Sequence, residues 1–148
     1  MQTIETIALS AAVAGVLDLG AAVLLARVQG IPISRPLRFI ASAVMGKDAF
    51  ERGVGIAAIG LALHFLIATI WAALYFIIAS QLAVLRSHPF RCGAAYGVVV
   101  HLVMSRVIVP LSRAPTRPFA WKAWLLQLGV HICCVGLPIS WIQSWRVS

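Results

Sequence analysis

Four stretches of about twenty or more residues carry almost no ionisable side chain, and they constrain the fold more than any other feature of the sequence. A helix needs about 20 mainly apolar residues to cross a hydrocarbon core roughly 30 Å thick. The chain is 61% hydrophobic and 11% charged, whereas a soluble domain is nearer one half apolar and one quarter charged. We therefore expect four transmembrane helices, at about residues 7–28, 54–79, 93–111 and 120–142.

The continuity of these stretches indicates helices rather than membrane strands. Strands of a β-barrel alternate apolar and polar residues in runs of about ten, and no such alternation is present. Four spans use about 90 of the 148 residues, which leaves no room for a separate soluble domain. The predicted fold is all-α, a four-helix transmembrane bundle that forms a single integral membrane domain over residues 1–148.

The basic residues between the spans are distributed unequally. The loop after span 1 (loop 1) and the loop after span 3 (loop 3) together carry eight Lys and Arg residues. The N-terminus, the loop after span 2 (loop 2) and the C-terminus carry three. The positive-inside rule places loops 1 and 3 in the cytoplasm and both termini outside. The net charge of +8 then reflects topology and contact with anionic lipid head groups, and it does not indicate nucleic-acid binding.

Loop 1 contains a segment with the pattern of an amphipathic helix. Apolar residues recur at helical spacing over residues 37–45, after a stretch with two prolines. One interpretation is a short helix in the cytoplasmic interface of the bilayer. The other is a helix packed on the ends of the bundle. In the first case the basic side chains would face lipid head groups; these residues are Arg35, Arg38, Lys47 and Arg52.

Each span carries one ionisable residue close to its centre: Asp18, His64, His101 and His131. Helix rise places the four within about 5 Å of one another in depth. Each also lies on a stripe of small or polar residues, the kind of face along which helices approach one another in a bilayer. A charged side chain at the bilayer centre costs about 2.5–3.5 kcal/mol on the insertion scale. We therefore expect these side chains to point into the bundle.

This cluster is compatible with several kinds of site. The four residues could be hydrogen-bonding contacts between helices, or part of a proton or ion pathway. Three imidazoles and a carboxylate also suit Zn²⁺ or Fe²⁺, so Asp18, His64, His101 and His131 are candidate metal ligands. Two histidines on facing helices could instead hold haem b, with His64 and His131 as the candidate ligands.

No motif of an enzyme is present in the sequence. It contains no HExxH, no GxSxG, no phosphate-binding glycine loop and no close pair of carboxylates. The predicted function is therefore that of a non-enzymatic membrane protein whose Asp/His cluster binds a proton, a metal ion or haem. The alternative is a structural accessory subunit or a self-assembling bundle, whose partners are other membrane subunits or further copies of the chain.

Three further residues of the spans bear on the structure: Arg106, Pro110 and Pro138. Arg106 lies five residues after His101 in span 3, so it could extend to the head groups or pair with Asp18 across the bundle. Pro110 and Pro138 are expected near span ends, where proline disrupts a helix least.

Several short stretches together resemble a family of small uncharacterised bacterial inner-membrane proteins. The resemblance implies a four-span protein of the bacterial inner membrane and assigns no activity. The stretches that carry it are Ala14-Gly15-Val16-Leu17-Asp18, His64-Phe65, Val109-Pro110-Leu111-Ser112, and His131 with Val135-Gly136-Leu137-Pro138.

Overall fold

The computed structural model describes residues 2–51, 53, 55–116 and 118–146, and over these residues it consists of helices joined by short loops. Four of the helices are long and apolar enough to cross a membrane, which confirms the predicted number of spans and the all-α bundle. The helices are α1 (Gln2–Val28), α2 (Arg35–Met45), α3 (Gly55–Gln81), α4 (Ala83–Ser87), α5 (Pro89–Leu111) and α6 (Trp121–Arg146). The chain is thus a multi-pass membrane protein.

The spanning helices are longer than the apolar stretches that predicted them. The helix α1 begins at Gln2 and α6 ends at Arg146, several residues beyond the limits of about 7 and 142 expected from the sequence. Hydropathy locates only the hydrocarbon-crossing part of a helix. The backbone continues its hydrogen bonds into the head-group region, where polar side chains are tolerated.

The segment predicted to be helical in loop 1 is the helix α2. It has Pro36 in its first turn, where proline is tolerated, and it is followed by Gly46, whose φ of 68° suits a helix end. The carbonyl of Leu37 lies against Gly60 of α3, at a distance that leaves no room for a Cβ on Gly60. Ala41 is buried. The structure therefore confirms that α2 packs on the end of the bundle, while its orientation to the bilayer stays a prediction.

Pro110 and Pro138 each follow a π-helical segment. Residues Met104–Ile108 of α5 precede Pro110, and residues His131–Gly136 of α6 precede Pro138. Pro138 lies eight residues before the end of α6 at Arg146, so the helix continues past it, while its position relative to the end of the membrane span stays a prediction. A proline has no N–H to donate and its ring clashes with the carbonyl four residues earlier, so the preceding turn widens.

The half of the bundle on the side of loop 2 and the termini is closely packed. Here α5 and α6 meet at glycines. A Cβ on Gly97 would lie 2.6 Å from the Cα of Ile132, and one on Gly93 would lie 2.9 Å from the carbonyl oxygen of Gly136. The neighbours are backbone atoms, so only glycine permits this approach, in keeping with the small-residue faces read from the sequence.

Polar side chains join the helices within this packed half. Gln143 of α6 is fully buried, and its amide nitrogen donates to the hydroxyl of Ser10 on α1 at 3.0 Å and to the carbonyl of Ala72 on α3 at 2.9 Å. The Ser140 hydroxyl donates to the Pro89 carbonyl at 2.8 Å and accepts from the Tyr75 hydroxyl at 2.6 Å. These bonds connect all four spanning helices.

The other half of the bundle, towards loops 1 and 3, is more loosely packed. None of the residues in Met104–Ile108, Val109–Leu111 and Trp121–Val130 is buried. In α1, none of the residues between Gly15 and Ala26 is buried. The helices therefore separate in this half, and a cavity lies between them.

Candidate functional site: a cavity within the membrane-spanning bundle

A cavity of about 460 Å³ lies among the four spanning helices and the start of α2. Along α1 it extends from Ala14 to Gln29, which corresponds to about 22 Å at the rise of an α-helix. Its walls are mainly apolar, with Trp71 and Phe39 among them. At its loop 1 end the exposed side chains of Gln29 and Arg35 line it, so the cavity reaches the protein surface there.

All four ionisable residues predicted at mid-membrane line this one cavity. They are Asp18 from α1, His64 from α3, His101 from α5 and His131 from α6. The coincidence of depth and helix face in the sequence therefore corresponds to a shared location. The four side chains do not form a single bonded group, however, and each has its own surroundings.

His64 is a contact between α1 and α3. It is buried, and its Nε2 lies 2.8 Å from the carbonyl oxygen of Gly15. Because a carbonyl only accepts, this nitrogen carries a proton and donates it. Gly15 permits the approach, since a Cβ there would lie 2.7 Å from the ring of Phe65. For this histidine the structure bears out the interpretation as a hydrogen bond between helices.

His101 and His131 form a bonded pair across α5 and α6. Their Nδ1 atoms are 3.3 Å apart, and the Nδ1 of His131 is also 2.9 Å from the carbonyl of Gln127. That carbonyl accepts, so the proton is on Nδ1 of His131, and Nδ1 of His101 is the second acceptor. His101 then carries its own proton on Nε2. The ring of Trp124 packs edge-on against His101, with centroids 4.7 Å apart.

Three polar atoms of the cavity lining have no hydrogen-bond partner among the described residues. They are Oδ1 of Asp18, Nε2 of His101 and Oγ of Ser105, and each is buried. His101 is only 2% exposed, so its Nε2–H has no access to bulk water. An unmade hydrogen bond of a buried group costs about 1–3 kcal/mol, and more for a charged group. Three residues that line one cavity therefore have hydrogen-bonding capacity that the described residues do not use.

The structure does not assemble the predicted four-ligand metal site. In residues 2–51, 53, 55–116 and 118–146, no group of three or more His, Cys, Asp or Glu side chains is placed to hold a metal ion. The physical reason is the hydrogen bonding described above. Nε2 of His64 is engaged with Gly15, and the Nδ1 atoms of His101 and His131 are engaged with each other.

The same bonds bear on the haem interpretation. A haem iron needs a nitrogen lone pair from each of two facing histidines. Nε2 of His64 donates a proton in this structure, so that nitrogen has no lone pair to offer, while Nε2 of His131 keeps one. The arrangement does not fit haem held by the Nε2 atoms of His64 and His131.

Arg106 lies near His101 without bonding to Oδ1 of Asp18, whereas Arg35 lines the opposite, loop 1 end of the cavity. Arg106 is exposed, and its guanidinium lies over the ring of Phe119 at 5.5 Å; it makes no hydrogen bond to Oδ1 of Asp18. Arg35 lies over the ring of Phe50 at 4.5 Å, and Arg38 donates to the carbonyl of Phe50 at 3.2 Å. Lys47 is exposed, and Arg52 is outside the described residues.

Some polar residues that matter in the bundle are not among the predicted site residues. Ser105 follows His101 by one helical turn, and that spacing places it on the same stripe. Gln143 and Ser10 lie near the ends of their spans, where polar residues are ordinary, so nothing in the sequence marks them as contacts between helices. Their burial is visible only in the packed structure.

Comparison of this chain with models of protein families, with curated proteins and with solved structures finds no match.

Proposed function

We propose that this chain is a non-enzymatic, multi-pass protein of the bacterial inner membrane that binds and exchanges a proton in the cavity lined by Asp18, His101 and His131. One observation carries the proposal. A buried carboxylate oxygen without a partner lies on the same membrane-embedded cavity as a pair of hydrogen-bonded imidazoles. Chains of ionisable groups within membrane spans are typical of proton pathways.

Asp18 is the group that binds the proton in this proposal, because one oxygen of its carboxylate has no partner among the described residues. An uncompensated charge at this depth costs about 2.5–3.5 kcal/mol on the insertion scale. No Lys or Arg forms a hydrogen bond with Oδ1 of Asp18 among the described residues. Binding a proton removes the charge, and releasing it restores the charge, so occupancy of this group responds to the proton concentration at the surface end of the cavity.

The histidine pair supplies a means of moving the proton. A neutral imidazole accepts a proton on one nitrogen and donates one from the other, so it relays protons without changing place. In this pair the Nε2–H of His101 and the Nε2 lone pair of His131 are the free ends of one hydrogen-bonded unit. The cavity connects this unit with the exposed residues Gln29 and Arg35.

Infrared spectroscopy of the carboxyl groups tests the proposal. The chain has only four Asp and Glu residues, so individual carboxyl bands are accessible by substitution. We expect the C=O stretch of a buried, protonated acid in the wild-type protein, with an intensity that falls as the pH is raised. The Asp18→Asn variant should lack this band, because the amide neither binds nor releases a proton.

The matched control is Glu5→Gln on the same helix. Glu5 is exposed near the N-terminus of α1, and its substitution should leave the buried-acid band unchanged. A spectrum of Asp18→Asn identical to that of the wild type at every pH would rule out Asp18 as the proton-binding group.

The orientation in the membrane is a further part of the proposal. It rests on the eight basic residues of loops 1 and 3 against three on the other side. A reporter enzyme fused after Ser148 should be active only if it is a periplasmic reporter, whereas a fusion within loop 3 should be active with a cytoplasmic one. Cytoplasmic activity at Ser148 would reverse the orientation and leave the four spans unaffected.

A further inference from the structure

The polar end of the cavity offers more hydrogen-bond acceptors than donors. Oδ1 of Asp18 accepts, and so does Nε2 of His131, which has no hydrogen-bond partner among the described residues. Among the described residues that line the cavity, the fixed donor without a partner is the Nε2–H of His101, and the Ser105 hydroxyl serves in either role; the unpartnered indole N–H of Trp124 lies beside His101 and outside this lining. A ligand that matches this end is therefore rich in donors.

The charges around the polar end of the cavity further restrict which ligands match it. Asp18 is the sole acidic residue that lines the cavity. The titratable and charged groups around it on the other helices are His64, His101 and His131, with Cys134 also near, and Arg106, which lies close to His101 and over the rings of Phe119 and Trp124. Arg35, at the far end, is stacked on Phe50. No cation is hydrogen-bonded to Oδ1 of Asp18 among the described residues, so a cationic donor group in the cavity would neutralise the ionised carboxylate.

The remainder of the cavity selects for an apolar body. Between the polar end and Gln29 the wall consists largely of Ala, Leu, Ile, Val and Met side chains, with Phe39 as an aromatic member. The volume of about 460 Å³ lies within the range of about 300–1,000 Å³ typical of sites for small molecules. A small inorganic cation would require several oxygen ligands, whereas a cation attached to an apolar body requires only the one carboxylate.

We propose that the cavity binds a lipophilic primary amine in its protonated form, with the ammonium group at Asp18 and His131 and the apolar body along α1 towards Gln29. This inference rests on the proposed function, because the carboxyl group of Asp18 that exchanges a proton is the group that binds the ammonium. The ammonium replaces the proton as the partner of the same carboxylate. Binding then satisfies two acceptors and removes the uncompensated charge.

Two probe molecules of nearly equal size distinguish the contribution of charge to binding from that of apolar contact. They are para-butylbenzylamine, which is protonated at neutral pH, and para-butylbenzyl alcohol, which is not charged. We expect calorimetric titration of the protein in lipid nanodiscs to show tighter binding of the amine. The Asp18→Asn substitution should weaken binding of the amine about thirty-fold or more, since it leaves a buried cation unpaired, and should change binding of the alcohol far less, since only a neutral hydrogen bond is affected.

A second variant keeps the Asp18 carboxylate and fills the part of the cavity next to it. Ala22 lines the cavity one turn from Asp18, and Ala22→Phe should abolish binding of both probes. Glu5→Gln is the control that should change neither.

Equal affinity of the wild type for amine and alcohol, or unchanged amine binding by Asp18→Asn or Ala22→Phe, would overturn the inference. So would absence of amine binding in a protein that shows the Asp18 infrared band, and in that case the proposed proton exchange would stand. Absence of that band together with tight, Asp18-dependent amine binding would instead contradict the proton exchange alone.

Discussion

Replacing Gly136 by valine should separate α5 from α6 and cost about 3 kcal/mol of stability or more. A Cβ on Gly136 would lie 2.6 Å from the backbone nitrogen of Gly97 and 2.8 Å from its Cα, and nearer still to the carbonyl of Gly93. Backbone atoms cannot rotate aside as the end of a side chain can, so the helices themselves must move apart. The measurement is the denaturation midpoint of the purified protein, together with its yield from membranes.

Gly129 in the same helix provides the control for this substitution. A Cβ there would meet no atom within 4 Å, so Gly129→Val should leave the midpoint close to that of the wild type. Equal losses from the two substitutions would show that the cost comes from helix propensity or insertion. A stable Gly136→Val protein would mean that α5 and α6 do not meet at this glycine.

Truncation of Tyr75 should also be strongly damaging, with a loss of about 3–5 kcal/mol for Tyr75→Ala. Tyr75 is 1% exposed and has the largest volume of the fully buried side chains. Its ring packs edge-on against Tyr96, with centroids 4.8 Å apart, and its hydroxyl bonds to Ser140. Alanine would leave a cavity between α3, α5 and α6, because the neighbouring side chains do not extend far enough to fill it.

The Tyr75→Phe substitution distinguishes the contribution of the ring to stability from that of the hydroxyl. Tyr75→Phe keeps the packing and removes the hydroxyl, which bonds to Ser140 at 2.6 Å and to the carbonyl of Leu85 at 3.3 Å, so we expect a loss of only about 1 kcal/mol. Leu74→Ala, which truncates an exposed residue of the same helix, is the control and should have little effect. If Tyr75→Phe were as damaging as Tyr75→Ala, the hydroxyl and not the ring would be the main contribution of this residue.

The bundle architecture also suggests how the two halves divide their roles. The half on the side of loop 2 contains the glycine contacts and the Gln143 and Tyr75 hydrogen bonds, and substitutions there should act on stability. The half towards loops 1 and 3 contains the cavity, and Asp18→Asn or Ala22→Phe should act on binding. Comparing both kinds of variant in one preparation would show whether the division holds.

Much of this protein is determined by local composition. A run of about twenty apolar residues has to satisfy its own backbone hydrogen bonds in a membrane, so four such runs indicate four helices without any knowledge of their contacts. The helical spacing of residues 37–45 similarly predicts α2, and the structure places a helix at Arg35–Met45. The depth and face of Asp18, His64, His101 and His131 correctly predict that all four line one interior space.

Tertiary structure decided what those residues do there. Whether His64 ligates a metal or bonds to a carbonyl depends on the distance between α1 and α3, which Gly15 sets through its contact with Phe65. The pairing of His101 with His131 depends on how closely α5 approaches the π-helical part of α6. These separations arise from packing between segments far apart in the chain. Hydropathy and spacing describe one helix at a time, so they contain no information about such distances.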